Sequence, residues 1–198
     1  MNRKAVIFIG RSGCGKGTQS KVLTDYFKKD DAATGVLYIQ TGLELRKFME
    51  GTLHTQKLAK EINVRGGLQP EFLTVYMWSH VFAEQYNGDQ HVIIDGTPRK
   101  YHEAGVLNSV FEFYGIQKPY VIYLDIPKSV SVDRLLARKR ADDTREDIEA
   151  RLAWFETDVV PAIEFYRHNP EYHFTQLDGT RSVEDISKDI IAFIEGKA

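Results

Sequence analysis

The chain has 198 residues, 42% hydrophobic and 27% charged, with a formal net charge of -2, so we expect one globular α/β domain with a sizeable core and no nucleic-acid partner. It has one cysteine and no stretch near the roughly 20 apolar residues of a membrane span, which argues against a disulfide, a multi-cysteine zinc site and a membrane partner. The first apolar run starts at residue 5 and leaves no room for a signal peptide, so a cytoplasmic protein is expected.

Apolar runs alternate with amphipathic stretches along the chain, a pattern typical of a parallel sheet covered by helices. The predicted strands, in chain order, are 5–9, 36–39, 91–95, 120–125 and 172–177. The predicted helices are 16–28, 42–50, 53–65, 70–86, 100–114, 128–138, 145–168 and 182–195. Because the segment from 42 to about 70 holds short helices and no strand, it is interpreted as an insertion after the second strand.

The helix predicted from residue 145 has the clearest boundary signal. Thr144 can cap its first turn, with Asp147 as the acid of a capping box. Pro161 lies within the same helical pattern, so we expect a kink or a break there.

Residues 10–18 read Gly-Arg-Ser-Gly-Cys-Gly-Lys-Gly-Thr and lie between the first predicted strand and the first predicted helix. Glycines let successive N–H groups turn toward one point, and the helix N-terminus adds positive charge, so the segment predicts a phosphate-binding loop. Lys16 is a mobile cation for outer phosphates, and the Thr18 hydroxyl suits a magnesium ion. The alternative is a glycine-rich turn without a ligand. Cys14 is either a reactive thiolate or an inert small filler.

A second group of polar residues follows the third predicted strand, where Asp95 ends the strand and Arg99 lies four residues later. An acid near a phosphate loop can hold a magnesium-bound water, and an arginine can bind a phosphate through two hydrogen bonds. Taken alone, the segment could also be a strand-ending turn with a solvated arginine. The phosphate loop favours the first interpretation.

Arginines cluster in the last third of the chain. Arg134 and Arg138 share one helix face, Arg140 follows in a loop, and Arg151 lies on the next predicted helix. Since converging like charges repel, the cluster indicates an anion bound between them. A solvated basic face is the alternative.

Together these motifs resemble the adenylate kinase family of nucleoside monophosphate kinases over nearly the whole chain. The segments that carry the resemblance are 13–19 (the phosphate loop with its Lys-Gly-Thr), 41–46 (Thr-Gly-x-x-Leu-Arg of the monophosphate site), 67–70 (similar to Gly-x-Leu-Val-x at the far end of the insertion), 95–99 (similar to Asp-Gly-Phe-Pro-Arg), 133–151 (the lid arginines) and 178–181 (near the adenine of ATP). Several motifs in one order are more specific than any one of them.

The resemblance implies an α/β fold of the P-loop NTPase type. It implies one kinase domain over 1–198, with a five-stranded parallel sheet, helices on both faces, a helical monophosphate-binding insertion at 41–70 and a very short lid at 138–144. The implied reaction transfers the terminal phosphoryl group of Mg-ATP to a nucleoside monophosphate, most simply AMP. Small nucleotides would be the partners of an enzyme expected to be a monomer.

The resemblance also implies roles for individual residues. The expected catalytic residues are Lys16, Arg99, Arg134, Arg138, Arg140 and Arg151. The expected ATP-binding residues are Ser12, Gly13, Cys14, Gly15, Lys16, Gly17, Thr18, Arg134 and Arg181. The expected monophosphate-binding residues are Thr41, Arg46, Gln69, Gly96, Arg99 and Glu103. Thr18 and Asp95, the latter through water, would hold Mg²⁺, and no zinc is expected.

Two positions depart from the family's AMP-reading pattern. Thr97 stands where the family has phenylalanine, and Glu103 where it has the glutamine that reads adenine. A carboxylate only accepts hydrogen bonds, so a base-reading Glu103 would suit the N–H groups of guanine. Alternatively, Glu103 points to solvent or contacts the base through water. A GMP, broad or pyrimidine acceptor specificity therefore stays open, as does a catalytically silent nucleotide-binding module, although Lys16 and the arginines argue against the last.

Overall fold

The computed structural model describes residues 3–30, 33–138 and 144–197. Within these residues, five parallel strands form one sheet in the order β2-β3-β1-β4-β5. The strands are β1 (Ala5–Ile9), β2 (Val36–Gln40), β3 (His91–Asp95), β4 (Tyr120–Asp125) and β5 (His173–Asp178). The predicted parallel α/β fold is confirmed.

The α-helices, of which the last follows β5, are α1 (Lys16–Asp30), α2 (Thr41–Phe48), α3 (His54–Val64), α4 (Glu71–Gln85), α5 (Tyr101–Tyr114), α6 (Lys128–Arg138), α7 (Arg145–Trp154), α8 (Val160–Arg167) and α9 (Val183–Ile194). None of the helices in the described ranges is long and apolar enough to cross a membrane.

The sheet is covered on both faces, as the near-continuous apolar runs of its central strands require. One face packs on α4, α5 and α8, with Trp78, Leu107 and Tyr166 among its fully buried side chains. The other packs on α1 and α9, with Leu23 and Ile190 in contact with the sheet. Because β1 lies between β3 and β4, the loops after β1 and β3 meet at the carboxyl edge of the sheet, where α/β folds bind their ligands.

The segment 41–70 carries α2 and α3 and packs on α4 through a small cluster separate from the two main layers. The cluster contains Leu45, Met49, Ala59, Leu73 and Met77. Its position beyond β2 agrees with an insertion, and its predicted role as the monophosphate-binding unit stays a prediction. The predicted short lid at 138–144 also stays a prediction, since residues 139–143 lie outside the described ranges.

The helix predicted over 145–168 is two α-helices joined by a π-helical turn at Phe155–Val159. The predicted cap is confirmed, because the Thr144 hydroxyl accepts the Asp147 backbone N–H at 3.2 Å. Pro161 lies in the first turn of α8. Proline cannot donate to the carbonyl four residues earlier, and the wider π turn immediately before α8 accommodates that loss. The irregularity therefore precedes the proline instead of breaking the helix at it.

Candidate active site

The loop between β1 and α1 is braced from behind by α6. The Ser131 hydroxyl donates to the Ser12 carbonyl at 2.6 Å. Gly13, with φ of 81°, packs so close to α6 that a Cβ there would lie 3.3 Å from the Ser131 carbonyl oxygen. Glycine alone accommodates that backbone and that approach without strain. The loop is thus held curled at the N-terminus of α1, as an anion-binding loop needs to be.

Lys16, the first residue of α1, turns its ammonium group back over the loop. Its Nζ donates to the Gly10 carbonyl at 2.7 Å and the Arg11 carbonyl at 3.0 Å. A phosphate at the loop would compete for this cation, since charge-assisted hydrogen bonds are the stronger ones. Cys14 is 1% exposed and packs into the apolar layer, so burial favours the interpretation of its thiol as an inert filler.

A cavity of about 820 Å³ opens in front of the loop, between the carboxyl edge of the sheet, the insertion, α6 and α7. The structure brings most of the predicted site residues into its wall. These are Ser12, Gly13, Gly15, Lys16, Gly17, Thr18, Arg46, Gln69, Asp95, Gly96, Arg99, Arg134, Arg138 and Arg151. A volume of this size is within the range of small-molecule sites.

The remaining predicted site residues are placed elsewhere. Thr41 and Cys14 are buried and are not among the residues lining the cavity. Arg181 donates from Nη1 to Asp189 of α9 at 2.6 Å instead of lining the wall. Glu103 is 1% exposed, so the expectation that it points to solvent is wrong. Arg140 lies outside the described residues.

Asp95 places one buried carboxylate beside the loop. It is 7% exposed, and its Oδ2 accepts hydrogen bonds from the Tyr38 hydroxyl at 3.1 Å and the Gln40 amide at 3.3 Å. Burial and the nearby Asp95 charge raise the pKa of Tyr38 well above its usual value, which keeps that hydroxyl a donor. Gly17 of α1 comes so near that a Cβ there would lie 3.4 Å from the same oxygen. The acid is therefore fixed at the N-terminus of α1.

The donor set fits a magnesium ion that enters with a polyphosphate. The Asp95 carboxylate and the exposed Thr18 hydroxyl line the same cavity. In the described part of the chain, no group of three or more His, Cys, Asp or Glu side chains is arranged to hold a metal. Mg²⁺ commonly uses one or two carboxylates and takes its other ligands from water and substrate phosphates.

Three of the guanidinium groups in the wall donate hydrogen bonds to backbone carbonyls. Arg134 donates to the Gly179 carbonyl at 2.9 Å, Arg99 to that of Gly96 at 2.9 Å, and Arg151 to that of Asp147 at 3.2 Å. The pKa of Arg99 is lowered, mainly by burial and further by the charges of Arg151 and Arg46. An anion bound beside Arg99 would offset the repulsion that these two neighbouring charges exert on it.

Sequence reasoning missed Trp154, which links three parts of the wall. Its indole N–H donates to the Gly66 carbonyl of the insertion at 3.2 Å. The Arg99 guanidinium carbon lies 5.4 Å from the centre of its ring, within cation–π range. The sequence spacing could have indicated this residue, because Trp154 lies three residues after Arg151 and so shares its helix face. Asn63 and Met49, also in the wall, had no such signal.

Comparisons with known proteins place the similarity over nearly the whole chain. A family model for adenylate kinase matches residues 8–171. The adenylate kinase of Prochlorococcus marinus (strain AS9601) is 32% identical, covering 95% of this chain and 97% of its own. That of Thermosynechococcus vestitus is 32% identical over 96% of each chain. That of Bacteroides fragilis (strain YCH46) is 29% identical over 96% of this chain and 97% of its own.

Proposed function

Since this chain belongs to the adenylate kinase family and is a phosphotransferase, we propose that it transfers the terminal phosphoryl group of Mg-ATP to a nucleoside monophosphate, with AMP as the acceptor. One observation carries the proposal most directly. Arginines from the insertion, the loop after β3, α6 and α7 line a single cavity together with the phosphate loop. A wall of fixed cations suits two phosphate groups and the charge that develops between them.

The proposed roles divide the cavity into two sides. The loop, Lys16 and Arg134 bind the ATP phosphates, and Arg46 and Arg99 hold the acceptor phosphate. Arg138 and Arg151, with Arg140 from outside the described residues, stabilise the transferring group. Positioning and charge neutralisation suffice for this chemistry, and no covalent intermediate on the protein is required.

The remaining groups have narrower roles in this proposal. Magnesium, when bound, supplies further positive charge to the phosphates, and Thr18 with Asp95, the latter through water, would hold it. Gln69 and Gly96 shape the acceptor side. Arg181 would have to exchange its Asp189 partner for ATP.

Two observations favour AMP over GMP as the proposed acceptor, one from the similar proteins and one from the structure. The relatives named above are adenylate kinases. The residue argument for guanine depended on a Glu103 carboxylate facing the base, and Glu103 is buried and is not among the residues lining the cavity. A catalytically silent nucleotide-binding module would have no need for arginines directed at a transferring group.

A coupled assay for ADP formation from Mg-ATP with AMP, GMP, CMP or UMP tests the function. We expect acceptor-dependent ADP formation with the highest kcat/KM for AMP. A protein that binds ATP and AMP but forms no ADP would support the silent module and contradict the proposal. A higher kcat/KM for another monophosphate would mean that the protein catalyses the same phosphoryl transfer with that monophosphate, and not AMP, as its preferred acceptor.

Asn63 of α3 is the residue we expect to select the base. It lines the insertion side of the cavity, and the described residues give its side-chain amide no hydrogen-bond partner. The amide of Gln69 is less suitable, because its Nε2 donates to the Ala59 carbonyl at 2.8 Å and its Oε1 is buried. An amide can donate to adenine N1 while accepting from the N6 amine.

Asn63→Asp is therefore expected to lower the ratio of kcat/KM for AMP over GMP by about tenfold or more. The carboxylate keeps the acceptor but loses the donor, so it faces adenine N1 unfavourably and suits the guanine N–H groups. Initial rates with each acceptor at saturating Mg-ATP measure the ratio. Asn87→Asp, at the opposite end of the sheet, keeps the Asn87 side-chain oxygen that accepts the Asp89 N–H and serves as the control. A ratio equal in both variants would exclude Asn63 from base selection.

A further inference from the structure

Glu103 is a buried acid beside the acceptor site, and the proposed function leaves it without a role. It lies in the first turn of α5 and is 1% exposed. Burying a carboxylate is unfavourable unless hydrogen bonds or a nearby cation compensate for the lost water. A buried glutamate therefore needs a hydrogen-bond donor or a cation beside it, and the identity of that neighbour indicates the role of the glutamate.

The partner is the backbone of Arg99. Glu103 Oε2 accepts the Arg99 backbone N–H at 3.0 Å. The same arginine donates from its side-chain Nε to the Gly96 carbonyl at 2.9 Å. The main chain and the side chain of Arg99 are thus each fixed by one hydrogen bond, the first from α5 and the second from the loop itself. The guanidinium group lines the cavity between these anchors and the Trp154 ring.

Charge around the carboxyl group agrees with this pairing. Burial raises the pKa of Glu103, while the Arg99 N–H and the Arg99 charge act in the opposite direction. Of its other charged neighbours, Glu71 raises the pKa and Lys100 lowers it. Arg99 receives the reciprocal effect, because the Glu103 charge opposes the lowering of its pKa by burial. The acid and the arginine therefore stabilise each other's charged forms.

We propose that Glu103 is a positioning residue that fixes the Arg99 main chain, so that the guanidinium group meets the acceptor phosphate, and that it does not contact the acceptor base. The inference rests on the proposed function, since Arg99 is taken there as the acceptor-phosphate ligand. Under this inference Glu103 contributes to binding of the acceptor phosphate and not to selection of the base. Loss of the Glu103–Arg99 hydrogen bond should therefore weaken binding of every acceptor equally.

Two substitutions separate the effect of the Glu103–Arg99 hydrogen bond from the effect of the Glu103 charge. Glu103→Met has no acceptor for the Arg99 N–H but fills similar space, whereas Glu103→Gln keeps an acceptor oxygen and removes the charge. We expect Glu103→Met to raise the KM for AMP and for GMP by the same factor, about tenfold, because small displacements of a positioning arginine are costly. The KM for ATP should stay within about twofold of wild type. Glu103→Gln should restore most of the acceptor KM and leave the AMP-to-GMP ratio unchanged.

The control is Glu84→Met, which removes an exposed carboxylate from α4. A changed AMP-to-GMP ratio in either Glu103 variant would overturn the inference, and so would a folded Glu103→Met enzyme with wild-type KM values. If Glu103→Met shows no cooperative thermal transition, Glu103→Gln decides alone: an unchanged ratio and near-wild-type acceptor KM support positioning, and a shifted ratio refutes it. A wild-type enzyme that phosphorylates no monophosphate would instead refute the proposed function.

Discussion

Lys16→Met is expected to lower kcat by a factor on the order of 10²–10³ while leaving the fold intact. In the structure the ammonium group of Lys16 is held over the loop by the carbonyls of Gly10 and Arg11. A bound phosphate would attract it from there, and under the proposed function the cation would then stabilise the negative charge that grows during transfer. Methionine keeps the length of the side chain and removes the charge and all three donors.

Steady-state kinetics with Mg-ATP and AMP, together with thermal unfolding, measure the effect. Lys28→Met is the matched control, since Lys28 is exposed in the last turn of the same helix and should leave kcat within about twofold of wild type. Unfolding temperatures of both variants should lie near that of wild type. If Lys16→Met keeps kcat within about fivefold of wild type, the charge at the loop does not stabilise the transferring group and the proposed mechanism fails.

The central strands could be predicted to the residue because of where they lie. β1, β3 and β4 begin and end as predicted, since strands buried on both faces read as unbroken apolar runs bounded by polar residues. β2 and β5 lie at the sheet edges; the predicted β2 ends one residue too early, and the predicted β5 is shifted by one residue. β5 has only exposed and half-buried positions, so its sequence contains no sharp apolar boundary.

The site was predictable where a local motif sets the geometry. The loop, Asp95 and the cavity arginines lie at strand ends or on single helix faces, and short-range spacing describes both arrangements. Glu103 was misjudged because its burial depends on how α5 packs beside the loop after β3, which no local pattern reports. Asn63 was missed for the same reason, since its exposure to the cavity depends on how α3 packs against α4.

Gly10→Ala is expected to lower the free energy of unfolding by about 3 kcal/mol and to abolish tight ATP binding. Gly10 has φ of 147°, and a Cβ there would lie 2.4 Å from the Leu124 carbonyl oxygen. That oxygen belongs to the backbone of β4, which is paired on both sides, so the strand cannot retreat. The loop must move instead, and its N–H groups then no longer converge on one anion.

Gly105→Ala provides the matched comparison, because Gly105 lies in the interior of α5 and, among the described residues, no atom beyond its chain neighbours and the adjacent helix backbone lies within 4 Å of an added Cβ. That variant should gain up to about 1 kcal/mol, since alanine favours helix. Urea unfolding and equilibrium binding of ATP measure both variants. The same methyl group thus destabilises at one glycine and stabilises at the other. Equal unfolding free energies would mean that β4 does not hold the loop in place, and the basis for treating the loop as a preformed anion site would be lost.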